Sequence, residues 1–332
     1  MSRLAIIGGG SWGTALAIVL APRFPEIRLW VYEDDLAARM ATTRENDIYL
    51  PDFHLPANIE VTSDIGSALG GASIVLGVVP SHVARAIYGR MLPHLSPDAL
   101  FVSATKGLER PSLLRMSEVV RDVLRKRFEP RVAALSGPTF AREIAAGEPA
   151  ALVISSNDSD LNRDIQRAFS GPTFRVYTNA DPVGVELAAS LKNVIAIGAG
   201  VCNGLGLGNN IMAALITRGL AEITRLAVAL GGRPQTLAGL AGLGDLVLTC
   251  TGTLSRNRQV GIALGRGRPL AEITSSTRMV AEGIQTTYAA VDLARGCGIE
   301  MPITEQVHAI LESRRSAREA IRELMERSLK PE

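Results

Sequence analysis

The sequence predicts an α/β fold in which a doubly wound, mostly parallel sheet is followed by an all-helical C-terminal domain. Two patterns carry this expectation. From Arg3 to about Tyr177, short apolar runs alternate with helical segments, the order that builds βαβ units. After Asp181-Pro182 the strand signals stop, and Gly and Pro punctuate helical stretches. A chain of 332 residues is long for one core, so two domains are expected, over residues 1–180 and 181–332.

The strands are read from continuity. Leu4–Ile7, Ile27–Tyr32, Ser73–Val78, Leu100–Ser103 and Val132–Leu135 are short and uniformly apolar, as strands covered on both faces must be. Helical patterns at Trp12–Leu20, Leu36–Thr43 and Leu113–Arg127 lie between them. Ala151–Ile154 and Phe174–Tyr177 are expected to add edge strands joined by a helical crossover. Val183 to Leu230 reads as long helices broken near Gly204–Gly208. Gly231-Gly232, Pro234, Pro269 and Pro302 divide the remaining helices. Between Arg314 and Arg327, Arg and Glu recur at helical spacing, the pattern of a solvated helix face.

Composition narrows the function classes. Hydrophobic residues make up 47% and charged residues 20%, which fits a soluble globular chain. Aromatics are only 4% while Gly numbers 32, a balance suited to closely packed small-residue helices. A formal net charge of +2 gives no electrostatic case for nucleic acid or an anionic membrane. Cys202, Cys250 and Cys297 are widely spaced and odd in number, which argues against a disulfide framework or a zinc site. His54, His82, His94 and His308 have no ligand spacing, so no metal is expected. The apolar run at the N-terminus ends at Gly8, and longer runs are broken by polar residues or clustered Gly. Neither a signal peptide nor a membrane span is expected, and the expected compartment is the cytoplasm.

Gly8-Gly9-Gly10-Ser11-Trp12-Gly13 matches G-x-G-x-x-G, follows an apolar strand and opens a helix. In that context Gly8 permits the tight turn, Gly10 lets the backbone approach a pyrophosphate, and Gly13 allows close helix packing. The helix N-terminus then offers free N–H groups to the phosphates, as in the dinucleotide-binding Rossmann domain. Glu33 follows at the end of the second strand, where an acid accepts hydrogen bonds from the adenine ribose. A carboxylate placed there only to favour the helix macrodipole is the plainer reading. An acid on the ribose favours NAD(H), yet Arg39 or Arg44 could still accommodate the 2′-phosphate of NADP(H).

Lys192-Asn193 sits inside the apolar, small-residue run Leu187–Val201. Burying an ammonium there is costly unless it has a task or snorkels to water. Partial burial and a neighbouring cation would lower its pKa toward the working range of a general acid/base. Lys106 follows the strand Leu100–Ser103, which puts it at the carboxyl edge of the sheet, where open α/β folds bind ligands. Ser255-Arg256-Asn257 combines a guanidinium fork with shorter donors, a set suited to a phosphate dianion. A helix N-cap by Ser255 beside a surface arginine is the alternative. Asp245 lies in a Gly-rich turn, either as partner of Lys192 and substrate or as an ordinary turn aspartate.

Several longer motifs then become specific. ATKGLE (104–109), SGPTFARE (136–143), KNVIAIGAG (192–200), ALITRGLAE (214–222), AGLGDLVLTCTG (241–252), SRNR (255–258) and MPIT (301–304) together resemble the bacterial NAD(P)-dependent glycerol-3-phosphate dehydrogenases. The resemblance spans nearly the whole chain. It implies a Rossmann domain with an all-α C-terminal domain of the 6-phosphogluconate-dehydrogenase-like type. It also implies NAD(H) or NADP(H) as cofactor, a homodimer, and a supply of glycerol 3-phosphate for phospholipid synthesis. The resemblance makes Lys192 the proton acceptor and places Lys106 and Arg256 against both substrate and cofactor. It adds Gly137 and Thr139 as substrate contacts, and Ala141, Val280 and Glu282 as cofactor contacts. Tyr32 would sit at the adenine edge, and Ser11 and Trp12 at the pyrophosphate. Family members often carry a basic or imidazole side chain where Tyr32 stands, and Arg142 replaces a common lysine.

Two other functions compete. A dehydrogenase of the same plan could act on a small hydroxy acid or ketoacid, but Lys106 and the Ser255–Asn257 cluster point to a phosphate. A nucleotide-sensing protein would keep the fingerprint and would need neither Lys192 nor Asp245.

Overall fold

The computed structural model describes residues 3–275 and 281–329. Among the described residues ten strands form in chain order: β1 (Leu4–Ile7), β2 (Ile27–Trp30), β3 (Glu45–Asn46), β4 (Leu50–His54), β5 (Ile59–Thr62), β6 (Ile74–Gly77), β7 (Leu100–Ser103), β8 (Arg131–Ser136), β9 (Ala150–Ser155) and β10 (Phe174–Asn179). Eight build one sheet in the order β10-β9-β8-β7-β6-β1-β2-β5, while β3 and β4 form a separate hairpin. Strand order reverses direction around β1, so the crevice outside the carboxyl ends of β1 and β6 is a topological switch point.

Side chains alternate between the two faces of each strand, and both faces are covered. Leu4 and Ile6 of β1 join one apolar cluster with Leu16, Leu20, Leu29, Leu76 and Val102. Ala5 and Ile7 join the opposite cluster with Trp30, Val75, Tyr88 and Phe101. That double coverage explains why these strands read as unbroken apolar runs.

The structure corrects several expectations. β5 extends the sheet beyond β2 and the β3–β4 hairpin precedes it, where the sequence reading placed no strand. β8 pairs with β7 in parallel and with β9 antiparallel, so the chain changes direction once within the sheet. β9 lies between β8 and β10, which leaves β10 and β5 as the edges. The helix expected over 113–127 runs from Met116 to Leu124. Leu113 takes a positive φ of 61° and Leu108 bridges to Arg115, so a closed loop replaces its first turn.

Beyond β10 the chain is helical. Pro182–Gly204 is 23 residues long, apolar enough to cross a membrane, and buried inside the protein, so it is the core helix of this half. Glycines set how close its neighbour comes. A Cβ on Gly200 would lie 2.0 Å from the Arg258 carbonyl oxygen, and one on Gly261 would lie 2.0 Å from that of Ile197. Gly204 and Gly265 make the same reciprocal fit one turn on. The helix Arg256–Gly265 therefore rests backbone to backbone on the core helix, and its first turn is held near Lys192 and Asn193.

Candidate active site

At the end of β1, Gly8 takes φ +124°, and a Cβ there would meet the Val78 carbonyl oxygen at 2.4 Å. A Cβ on Gly13 would lie 1.8 Å from the Gly8 oxygen, so turn and helix close tightly together. Gly10, by contrast, has nothing within 4 Å of its Cβ position. It precedes the helix Ser11–Leu20, which no side chain caps, and the Trp12 indole Nε1 is buried without a partner. Open space at Gly10 and an uncapped helix start fit the pyrophosphate of a dinucleotide. Ala141 begins the helix Ala141–Ala145, which packs on Ser11–Leu20. Val280 lies outside the described residues.

The adenine end is equally defined. Glu33 occupies the N-cap position of the helix Asp34–Thr43, but its side chain makes no cap hydrogen bond. It accepts one from the Tyr49 hydroxyl at 2.7 Å, a partner not foreseen from sequence. Tyr32 is 67% exposed and stands edge-on to Trp30.

In the helical half, Lys192 is buried on the core helix. Its Nζ donates to Asp245 Oδ1 at 2.5 Å and to Thr249 Oγ1 at 2.6 Å. The second Asp245 oxygen accepts from Lys106 Nζ at 2.7 Å, and Lys106 also donates to the Gly137 carbonyl at 3.1 Å. The same carbonyl accepts from Thr139 Oγ1 at 3.2 Å. Asp245, at 1% exposure, thus joins two ammonium groups from opposite halves of the chain. Burial pushes Lys192 down to about 8; the Lys106 charge acts in the same direction and the Asp245 charge opposes both.

Ordinary hydroxyls hold this cluster in place. Gly107 N–H donates to Ser190 Oγ at 3.0 Å, and Ser190 donates to the Glu186 carbonyl at 2.8 Å. The Lys106 loop is thereby tied to the core helix less than one turn before Lys192. Thr249 lies four residues after Asp245, so a helix brings both to Lys192, a spacing visible in the sequence.

The anion clamp divides in two. Ser255 Oγ accepts from Arg258 N–H at 3.2 Å and so caps its own helix, a contact that leaves its O–H able to donate to a ligand. Asn257 Oδ1 accepts from Gly283 N–H at 2.9 Å, and a Cβ on Gly283 would sit 2.7 Å from the Asn193 oxygen. Asn257 is therefore beside the Lys192-Asn193 segment. Arg256 is an exposed residue that makes no hydrogen bond or ion pair with a described residue, and the protein around its guanidinium pushes its pKa down. Glu282 is the acid close enough to act on its charge. That carboxylate spans the two halves, accepting from Ser81 N–H at 3.0 Å and Ser81 Oγ at 2.5 Å after β6. Burial pushes the Glu282 carboxyl upward, against the Ser81 hydrogen bonds. Among the described residues no group of His, Cys, Asp and Glu could hold a metal ion. A cavity of about 360 Å³ near His308 and Arg314 contains none of these residues.

A glycine-fingered Rossmann turn, two lysines joined by a buried aspartate and an arginine without a described partner together define a dinucleotide-dependent oxidoreductase. The comparisons make the assignment particular. Residues 3–162 match the family domain described as NAD-dependent glycerol-3-phosphate dehydrogenase N-terminus, and residues 181–322 match its C-terminus. The chain is 59% identical over 329 residues to glycerol-3-phosphate dehydrogenase (NAD(P)+) of Koribacter versatilis, covering 98% of each. Identity to the enzyme of that name from Syntrophotalea carbinolica is 52% over 329 residues, with 99% of each covered. The crystal structure of glycerol-3-phosphate dehydrogenase from Coxiella burnetii superposes with a TM-score of 0.94 at 43% identity, covering 98% of this chain and 99% of that one. The chain belongs to the NAD-dependent glycerol-3-phosphate dehydrogenase family.

Proposed function

We propose that the chain interconverts sn-glycerol 3-phosphate and dihydroxyacetone phosphate with NAD(H) or NADP(H), supplying glycerol 3-phosphate for phospholipid synthesis. The observation that carries this is the Lys192–Asp245–Lys106 cluster, with Arg256 one residue from the Asn257 that Gly283 ties beside Asn193. Gly8, Gly10, Ser11, Trp12 and Gly13 would hold the pyrophosphate, Tyr32 and Glu33 the adenosine, and Ala141, Val280 and Glu282 would add further cofactor contacts. Lys106 and Arg256 would contact both ligands. A dihydronicotinamide held there would supply the hydride that reduces C2 of the ketone.

This chain's residues do the rest. Arg256 and the Asn257 amide hold the phosphate, while Gly137 and Thr139 border the triose. As the C2 oxygen gains negative charge, the Lys192 ammonium gives it a proton; in oxidation the neutral amine removes that proton. Asp245 keeps both lysines in place and Lys106 stabilises the developing alkoxide. Free thiols at Cys202, Cys250 and Cys297 suit a reducing compartment, and we place the enzyme in the cytoplasm. We also assign the domain boundary between residues 180 and 181, in the link between β10 and the core helix. A homodimer is expected, and light scattering tests it; Leu243, Val247 and Leu254 are exposed apolar residues of the helical half.

The test is oxidation of NADH and NADPH by dihydroxyacetone phosphate. Absence of turnover with either cofactor overturns the assignment. Lys192→Ala is expected to lose kcat by at least about 10²-fold, the usual scale for a removed general acid. An unchanged kcat removes Lys192 from proton transfer.

A further inference from the structure

Cofactor choice is decided at the end of β2, where the structure pairs charges that the sequence left open. Glu33, Asp34 and Asp35 follow one another, and Asp47 lies across the next loop. Arg39, a candidate partner for a 2′-phosphate, is bonded instead to Asp35 at 3.0 Å and to both oxygens of Asp47 at 3.2 and 3.3 Å. Arg44, the other candidate, takes a positive φ of 59° at the helix end. Its guanidinium is spent on the Pro56 and Leu55 carbonyls, at 2.5 and 3.4 Å. Arg142 is bonded to Asp52 at 2.9 Å and lies over the Phe53 ring.

Glu33 is left as the group that meets the ribose. Tyr49 donates to Oε1 at 2.7 Å, and Oε2 has no partner among the described residues. An acceptor in that state suits a ribose 2′-hydroxyl, which can donate. A 2′-phosphate cannot donate as a dianion, and it would face a carboxylate with no uncommitted arginine beside it.

We infer that this chain selects NAD(H) over NADP(H), with Glu33 as the discriminating acceptor and Tyr49 as the residue that positions it. The inference rests on the dinucleotide reading of the crevice and not on the identity of the triose substrate.

Fluorescence titration of the purified protein with NADH and with NADPH tests it directly, with ADP-ribose and its 2′-phosphate as competitors lacking nicotinamide. NADH is expected to bind at least about tenfold tighter, the scale of one like-charge contact at a half-buried site. ADP-ribose should outcompete its 2′-phosphate by a similar factor. Glu33→Gln should narrow the gap mainly by tightening NADPH, and Tyr49→Phe mainly by loosening NADH. Equal or tighter NADPH binding in the parent protein overturns the inference, as does a gap that neither variant changes. A tight, selective NADH complex without turnover of dihydroxyacetone phosphate would sink the proposed reaction and leave this selection standing. Turnover with equal use of both cofactors would do the reverse.

Discussion

Replacing Asp245 with asparagine removes a negative charge held between two ammonium groups while keeping the side chain's shape. Its oxygens lie 2.5 Å from Lys192 Nζ and 2.7 Å from Lys106 Nζ. Burial and the Lys106 charge both depress Lys192, and the Asp245 charge opposes them, with the balance at about 8. Removing the opposing charge leaves both depressing causes in place, so Lys192 must titrate below about 8 in the variant. At an effective dielectric near ~20, a charge contact this short amounts to several kcal/mol before desolvation. One pKa unit corresponds to about 1.4 kcal/mol, so a fall of at least about one unit is expected.

The assay is the pH dependence of kcat/KM for NADH oxidation by dihydroxyacetone phosphate, and of the reverse reaction, in both proteins. Reduction needs the Lys192 ammonium, so the parent rate falls as pH rises through about 8. In Asp245→Asn that fall should come at least about one unit lower. Oxidation needs the neutral amine, so its rising limb should move down with it. Near neutral pH the variant should therefore lose more in reduction than in oxidation. The variant also leaves the buried Lys192 and the part-buried Lys106 without their counter-charge, a loss of about 3 kcal/mol or more in stability, so rates are measured well below its Tm. A lowered Tm with an unmoved or raised pH midpoint refutes the reasoning. Asp245 would then be structural, and Lys192 would not be the titrating group.

Other expectations follow from the same geometry. Arg256→Ala should raise KM for dihydroxyacetone phosphate by about 10²-fold, since a bidentate charged contact contributes roughly 3 kcal/mol; an unaffected KM moves the phosphate site elsewhere. Gly261→Ala would place a Cβ 2.0 Å from the Ile197 oxygen and 2.8 Å from Gly200 Cα. Both obstacles are backbone, so a loss of about 3 kcal/mol or more and a Tm lower by several degrees are expected; an unchanged melt contradicts the interlocked helices. Glu222 is 2% exposed, accepts from the N–H groups of Ile303 and Thr304, and is pushed up to about 7 by burial. Its raised value favours the protonated form in the folded state, so that stability is complete below about 4.5 and is lost as pH rises through about 7. Glu222→Gln should gain on the parent by up to about 3 kcal/mol across that window in pH-dependent melts; a constant difference rules the carboxyl out.

The sheet was legible where burial was complete. β1, β6 and β7 are covered on both faces, and that coverage writes itself as continuous apolar runs. β5 is an edge strand in which Ile59 alone is fully buried, so Ile59-Glu60-Val61-Thr62 carries no such run and no strand signal. Strand direction is not a local property. The antiparallel pairing of Ala134 with Ser155 depends on the route of residues 137–149, which no apolar pattern records. Leu113 fits a helical period, yet it is held at positive φ by the loop that Leu108 and Arg115 close.

At the site, what could be read from sequence was chemistry of unusual type in an unusual place. A lysine in an apolar run, a fingerprint after a strand and an arginine between short donors each stand out. The serine, threonine and tyrosine hydroxyls that orient them do not, because such residues are common and their partners are distant in sequence. Lys106 and Asp245 are 139 positions apart, and Lys192 and Asp245 are 53 apart, so their meeting is a consequence of the fold. The meeting also decides the chemistry. Exposed, Lys192 would stay protonated near its ordinary value of 10.5 and could not serve as a base near neutral pH. Buried without a partner, it would shed its proton and could not serve as an acid. Burial beside a carboxylate that a second lysine also draws on leaves it between these limits, which lets one side chain work in both directions of a reversible reduction.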